Sequence, residues 1–312
     1  MRKVIGIGET ILDIIFKEDV PTAASPGGST FNSLISLGRI GVPSCFISET
    51  GDDHVGDIII NFLKKNHVDS QYVRIHPDTK SPVSLAFLNH RNDAQYIFFK
   101  DHPHDTMAAQ FPEVNANDIV LFGSFYAINP VIRESFFSFI RRAHEAGAIL
   151  YYDVNFRSSH IKDLPDTLGN ILENFSICDI VRGSTEDFDN MFGLSEPSRI
   201  YAEKMSTYSF PLICTDGAKE ITLFAPEFSE RYPVTPIKTV STIGAGDNFN
   251  AGIAFGLLKQ GITKEDIPHL TRERWAELIE CGQRFSREVC CSFENYVSED
   301  YAKELSKELV LS

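Results

Sequence analysis

The stretch STIGAGDNFNAGIAFGLL, residues 241–258, holds the side chains best placed to do chemistry. Gly244, Ala245 and Gly246 let the backbone fold tightly with its N–H groups pointing one way. The small and apolar run at 249–258 reads as a buried helix that follows. N–H groups and the dipole at a helix N-terminus form a receptor for an anion. Asp247 stands at that receptor, where a carboxylate would repel a phosphate that was merely stored. An acid there makes sense if it takes a proton from a hydroxyl that attacks phosphorus. The plainer reading is a helix-capping acid, and the stretch alone does not choose between the two.

Composition bounds the surroundings of this site. The chain has 312 residues, a length at which α/β chains are often one domain. Twenty-nine basic against 43 acidic residues give a net charge of −14, and no basic stripe appears, so a nucleic-acid partner is not expected. A local anion receptor can still override that global sign. The six cysteines are scattered without metal or disulfide spacing and read mostly as buried thiols; Cys290 and Cys291 are adjacent and receive no role. Arg2 and Lys3 precede an apolar run, but Glu9 and Asp13 interrupt it, and no window is long enough for a membrane span. A cytoplasmic protein is expected.

The elements that must hold Asp247 alternate between strand and helix. Strands are expected at 4–8, 44–50, 118–124, 148–155, 178–184 and 211–217, with 221–224 pairing onto the last. Helices are expected over 27–41, 55–65, 132–145, within 162–176, and in the C-terminal region, where 275–287 is amphipathic and Ser298 caps a last helix. Thr263 with Asp266 suggests a further helix start. Two β-rich runs at 83–100, joined by Arg91, Asn92 and Asp93, form a hairpin that breaks the rhythm and reads as a flap. Alternation of this kind implies a mostly parallel sheet covered on both faces, with ligands beyond the carboxyl ends of the strands. Asp13, Gly27, Gly28, Asn155, Ser184, Thr215, Gly217 and Asp247 are expected there.

With PGGSTFNSLISLGRIG near the start and STIGAGDNFNAGIAFGLL near the end, the chain resembles the ribokinase-like (PfkB) family of carbohydrate kinases. The resemblance runs from GIGETILDII to about residue 258. It implies a three-layer α/β sandwich with a mostly parallel central sheet, as one domain over 1–312, and a small β-sheet lid built from about 12–24 and 83–104. It further implies ATP-dependent phosphorylation of a sugar hydroxyl, with Asp247 as general base and Gly244, Ala245 and Gly246 as the anion hole. Asp13, Gly27, Gly28 and Asn32 match positions that bind the sugar, and Phe98 and Lys100 match the lid segment that covers it. DVNFR at 153–157 is similar to the DPNxR stretch of the fructokinase and 2-keto-3-deoxygluconate kinase branch, which makes Asn155 and Arg157 candidates near sugar or phosphate. For Arg157 an ion pair with Asp153 is the simpler alternative. Thr215, Gly217 and Thr242 fall on the nucleotide side. No Walker-type phosphate loop or protein-kinase signature is present.

Three departures from the family pattern bear on the cofactors. In CDIVRGSTEDF, Ser184 replaces the usual Asn and Asp187, with Glu186 beside it, the usual Glu near Mg²⁺; both acids could instead simply favour a helix start. Ser241 stands where relatives carry an Asp that helps bind a monovalent cation, which leaves activation by such a cation doubtful. The segment after Arg287 lacks the Gly-Ala turn found beside adenine in many relatives. The resulting expectation is a fructokinase-like enzyme using ATP and Mg²⁺, acting on a primary hydroxyl of fructose, with 2-keto-3-deoxygluconate or a similar sugar as the alternative. A catalytically silent sugar- or nucleotide-binding relative is the rival from another class. A homodimer formed through an apolar lid face is also expected.

Overall fold

A computed structural model of the protein describes residues 2–88, 94–99, 107 and 110–310. The chain begins with β1 (Val4–Ile7), leaves for two strands of a separate small sheet, β2 (Ile11–Lys17) and β3 (Val20–Gly27), and returns through α1 (Ser29–Ile40) to β4 (Ser44–Gly51). After α2 (His54–Lys65), β5 (Val68–Asp69) and β6 (Val73–His76) come the other two strands of the small sheet, β7 (Val83–Leu88) and β8 (Ala94–Phe99). Alternation then resumes with β9 (Ile119–Gly123), α3 (Arg133–Glu145), β10 (Ile149–Asp153), α4 (Leu164–Ile177), β11 (Ile180–Ser184), α5 (Thr185–Phe192) and the short α6 (Pro197–Ile200). Three strands follow, β12 (Leu212–Asp216), β13 (Glu220–Ala225) and β14 (Phe228–Pro233), and then α7 (Ala245–Lys259), α8 (Arg272–Cys290) and α9 (Glu299–Val310).

The main sheet has ten strands in the order β14-β13-β12-β11-β10-β9-β1-β4-β5, with β6 also pairing β4. From β5 to β12 every pairing is parallel, and β13 and β14 close one edge in antiparallel fashion. A parallel sheet needs cover on both faces, and its side chains alternate accordingly. On β9, Ile119 and Leu121 join a core with α1, α7 and α8, while Val120 and Phe122 join a second core with α3 and α4. The second sheet has the order β3-β2-β7-β8 and stands apart from the first.

The run of small residues in α7 has a packing reason. A Cβ on Gly252 would lie 2.4 Å from the Cys281 carbonyl oxygen of α8, so the two helices approach backbone to backbone. Trp275, Leu278 and Phe285 of α8 are fully buried on the same side. Ser298 accepts the Tyr301 N–H and starts α9. Among the described residues no helix is long and apolar enough to cross a membrane.

Four features differ from the sequence expectation. The first lid excursion continues to Gly27, because β3 pairs with β2 up to Ile11. The edge strand β14 was hidden by its polar character: Ser229 and Arg231 are exposed between the half-buried Phe228, Glu230 and Tyr232, typical of a half-exposed edge. Thr263 and Asp266 do bond each other, at 2.7 Å, but they close a turn before a single 3₁₀ turn at Ile267–His269. The helix itself begins at Arg272, where Thr271 accepts the Arg274 N–H. Asp13 lies within lid strand β2 rather than at the end of a main-sheet strand. Arg91, Asn92, Asp93 and Lys100 lie outside the described residues.

Candidate active site

The N-terminus of α7 is the rigid part of the site. Gly244 caps the helix with φ 77°, a left-handed conformation, and an added Cβ there would stand 2.8 Å from the Asn295 carbonyl oxygen. Both the angle and the space therefore demand glycine. The Ala245 N–H turns back onto the Thr242 carbonyl at 3.2 Å, so Gly246 and Asp247 present the next N–H groups of the first turn. Asn248, fully buried, donates to the carbonyls of Gly244 and Asn295 at 2.8 Å each, and Ser36 of α1 bonds its other end at 2.5 Å. Tyr151 of the sheet donates to Asn250 two residues further on. Neutral buried polar bonds of this kind fix one helix position among the several that apolar packing would permit.

Asp247 is held from two sides by α1. The Asn32 amide donates to Asp247 Oδ2 at 2.8 Å, and Ser33 Oγ donates to its backbone carbonyl at 2.6 Å. Asn32 is 4% exposed, and its Oδ1 has no partner, so one acceptor remains for a ligand. Burial pushes the Asp247 carboxyl up to about 6; the Asn32 bond and the Arg157 charge work against that rise, and Asp153 adds to it.

Asp13 approaches from the lid. It accepts a hydrogen bond from Ser84 on the neighbouring strand, and burial lifts its carboxyl to about 6 against that bond. A Cβ on Gly27 would stand 2.8 Å from Asp13 Oδ2 and 3.8 Å from Asn32 Oδ1. The bare glycine thus leaves a space between a lid carboxylate and a helix amide, next to Asp247. Gly28 caps α1 directly after it. Phe98 pairs in register with Ser84, and Ser84 with Asp13, so the three share one lid face; Phe98 is 55% exposed.

The remaining candidates lie along the carboxyl edge of the sheet. Asn155 is buried with φ 40°, an uncommon angle for a residue with a side chain. Arg157 is exposed, and its expected ion pair with Asp153 is not formed: Asp153 bonds Arg182 instead, at 2.9 Å. Arg157 is left with its charge acting on Asp247. Ser184 and Asp187 form a reciprocal capping box at the start of α5, at 3.1 and 2.7 Å. Burial raises the Asp187 carboxyl, with Arg182 opposing. Glu186 is exposed beside it. Thr215, next to last in β12, is in register with Ser184, Gly217 makes the following turn with φ 52°, and Thr242 is exposed. Among the described residues no three His, Cys, Asp or Glu side chains converge as a metal cage.

Sequence reasoning missed Ser84, Ser33, Arg182 and the segment 293–297. The first two are hydroxyls without spacing signals. Arg182 was legible as one charge in an otherwise apolar strand. The last segment proves to back the α7 turn through Asn295 and the root of the lid through Tyr296, whose hydroxyl donates to the Pro26 carbonyl at 3.0 Å.

A mostly parallel sheet covered by helices on both faces, with a separate small sheet, is the ribokinase-like architecture. The chain belongs to the pfkB family of carbohydrate kinases, which matches residues 1–299, and is an ATP-dependent sugar kinase of the fructokinase-like branch. It is 29% identical over 276 residues to a fructokinase of Rhizobium leguminosarum bv. trifolii, covering 85% of this chain and 83% of the relative. Its fold is similar to a Vibrio cholerae O395 fructokinase double mutant solved with fructose, ADP and potassium ion, with TM-score 0.81, 19% identity, and coverage of 95% and 94%. It is also similar to the Salmonella enterica aminoimidazole riboside kinase solved with aminoimidazole riboside and an ATP analogue, with TM-score 0.78, 21% identity, and coverage of 99% and 100%.

Proposed function

We propose that this kinase transfers the γ-phosphoryl group of ATP to a primary hydroxyl of fructose, with Asp247 as general base. The observation that carries the reading is the Asn32 side chain, which binds Asp247 with its amide and offers an unpartnered buried oxygen beside Asp13 and Gly27. A sugar bound by Asp13 and by that oxygen would bring a hydroxyl to the free face of Asp247. With its carboxyl near 6, Asp247 is ionised at neutral pH and basic enough to accept the proton as the oxygen attacks phosphorus. The cradle after Gly244 would neutralise charge on the moving phosphoryl through the N–H groups of Gly246 and Asp247, the expected Ala245 N–H being taken by the Thr242 carbonyl; such neutralisation is what phosphoryl transfer chiefly requires.

Magnesium carried by ATP needs only one or two protein carboxylates and keeps several waters. Asp187 and the exposed Glu186 suit that requirement at the start of α5, since Asp187 keeps one oxygen outside its cap. Fructose is favoured over other sugars by the likeness to fructokinases, and a riboside is the second reading, on the likeness to the aminoimidazole riboside kinase. Lid pairing with a second copy is supported by its other face, where Phe16 stacks on Phe87 and Ile97 and Phe99 are 48% and 57% exposed.

ADP release measured across fructose, ribose, 2-keto-3-deoxygluconate and ribosides tests the substrate. A preference of at least about tenfold in kcat/KM for fructose is expected. Absence of ADP release with every sugar on the panel would support the silent-relative alternative, and Asp247→Asn retaining most of its rate would overturn the base.

A further inference from the structure

Strand β11 carries one charge in a buried apolar setting. Arg182 is 8% exposed, lies between Val181 and Gly183, and reaches across the sheet beneath α7. One terminal nitrogen donates to Asp153 Oδ1 at 2.9 Å and the other to Thr215 Oγ1 at 2.7 Å. A Cβ placed on Gly246 would stand 3.1 Å from both of those nitrogens, so the guanidinium forms the floor of the anion cradle. The pair is not optimised for stability: Arg182 Nε and Asp153 Oδ2 are both buried without a partner. A buried ion pair with unmet bonds is a poor stabiliser compared with apolar packing, which points to a use for the charge itself.

We infer that Arg182 is a positioning residue for phosphoryl transfer: from below the cradle it fixes Asp153, cancels that carboxylate's charge beside Asp247, and lends its own positive charge to the anion-binding backbone at Gly246. The inference rests on the reading of Asp247 as base. The charges around the two groups are few. Asp153 and Arg157 act on Asp247 from the β10 side, with Asn32 and Ser29 bonding it from α1. Arg182 faces Asp153 and Tyr151 on β10, Asp187 on α5, and Cys214 and Thr215 on β12. Burial would lower the guanidinium's proton affinity, but Asp153 and Asp187 more than restore it, so its charge is permanent. Asp153 opposes ionisation of Asp247, and Arg182 is the cation in direct contact with Asp153.

The test is the pH dependence of kcat for fructose phosphorylation in Arg182→Met, Arg182→Lys, Asp153→Asn and the double variant Arg182→Met/Asp153→Asn. Arg182→Met is expected to lower kcat by roughly tenfold or more, leave the sugar KM nearly unchanged, and move the acid limb up by about one pH unit. Arg182→Lys should return the limb to its wild-type position. Asp153→Asn should move it the opposite way, to lower pH. The double variant replaces a buried charge pair by neutral groups and is expected to fold; its limb should lie near wild type while kcat stays low. Loss of thermal stability with an unmoved limb in the three neutralising variants would overturn the inference and leave Arg182 a structural residue. Asp247→Asn in the same assay separates the two failures: if it stays active the base assignment is wrong, and if it is dead while no limb moves, only the role of Arg182 is wrong.

Discussion

The two carboxylates of the site are alike in environment and unlike in support. Asp247 and Asp13 are both lifted to about 6 by burial, and both accept hydrogen bonds from polar side chains, Asp247 from Asn32 and Ser29 and Asp13 from Ser84. Asp247 stands on a helix that is locked to α1, to the sheet and to the 293–297 segment by buried polar bonds. Asp13 stands in a four-stranded sheet with large exposed apolar groups, and its strand pairs with none of the main-sheet strands. On the proposed reading, the group to be aligned with a reacting atom is on the frame, and the group that would grip the sugar is on the separate small sheet. Alignment within tenths of an ångström needs neighbours that are themselves packed, whereas capture needs a route in and out.

Substitutions can break this contrast. Asp247→Asn should have the largest effect, a fall in kcat of about 10³-fold or more with little change in sugar KM, measured by coupled ADP release. Its effect on stability should have the opposite sign. The folded carboxyl is raised from 3.8 to about 6, so its contribution to stability is full below the lower value and is lost as pH rises through the upper one. The Asn variant should therefore melt a few degrees above wild type at pH 8, with the gap closing near pH 4 in a thermal scan. A lower Tm at pH 8 would mean that the carboxylate is structural.

Asp13→Asn is expected to act mainly on capture, raising the fructose KM by about tenfold to a hundredfold with a smaller loss in kcat, as read from initial rates. If kcat falls as far as in Asp247→Asn, the division between frame and lid is wrong. Gly244→Ala tests the frame without touching a charge. The left-handed φ and the Asn295 carbonyl at 2.8 Å should cost about 1–3 kcal/mol and misplace the cradle, seen as a lower Tm and a lower kcat together. For the wild type, kcat/KM should fall as pH drops through about 6, where Asp247 and Asp13 take up protons. Smallest in its effect on turnover should be Phe99→Lys on the outer lid face. It should shift light-scattering mass from dimer to monomer and leave kcat near wild type; an unchanged mass would remove the lid as the interface.

Much of this site could be read from local chemistry. Gly244 and Asp247 were legible because a tight turn and a helix start restrict residue type over a few positions, Gly27 and Asn32 because their segment resembles a family signature, and the structure joins Asn32 to Asp247 across more than 200 residues of sequence. The lid hairpin was legible from its β-rich runs. The edge strand β14 was not, since one exposed face makes its pattern resemble a loop. An ion pair of Arg157 with Asp153 was one of two readings open in the sequence, yet the partner of Asp153 is Arg182, 29 residues on and one strand over. A side chain on a parallel sheet meets its neighbour strand before it meets its own loop, and spacing along the chain does not record that.

While the kinase assignment came from the resemblance of two signatures to a known family, strand–helix alternation and the glycine-flanked Asp247 were enough to indicate a parallel α/β chain with an acid at a tight backbone turn. Those features depend on short-range sterics and on hydrophobic periodicity, which each segment carries within itself. Only the tertiary structure decided which groups face one another: Asn32 onto Asp247, Ser84 onto Asp13, Asn295 behind Gly244 and Arg182 beneath Gly246. Such contacts arise when separate elements are packed against a common sheet, and their distances are set by the whole core rather than by any stretch of it.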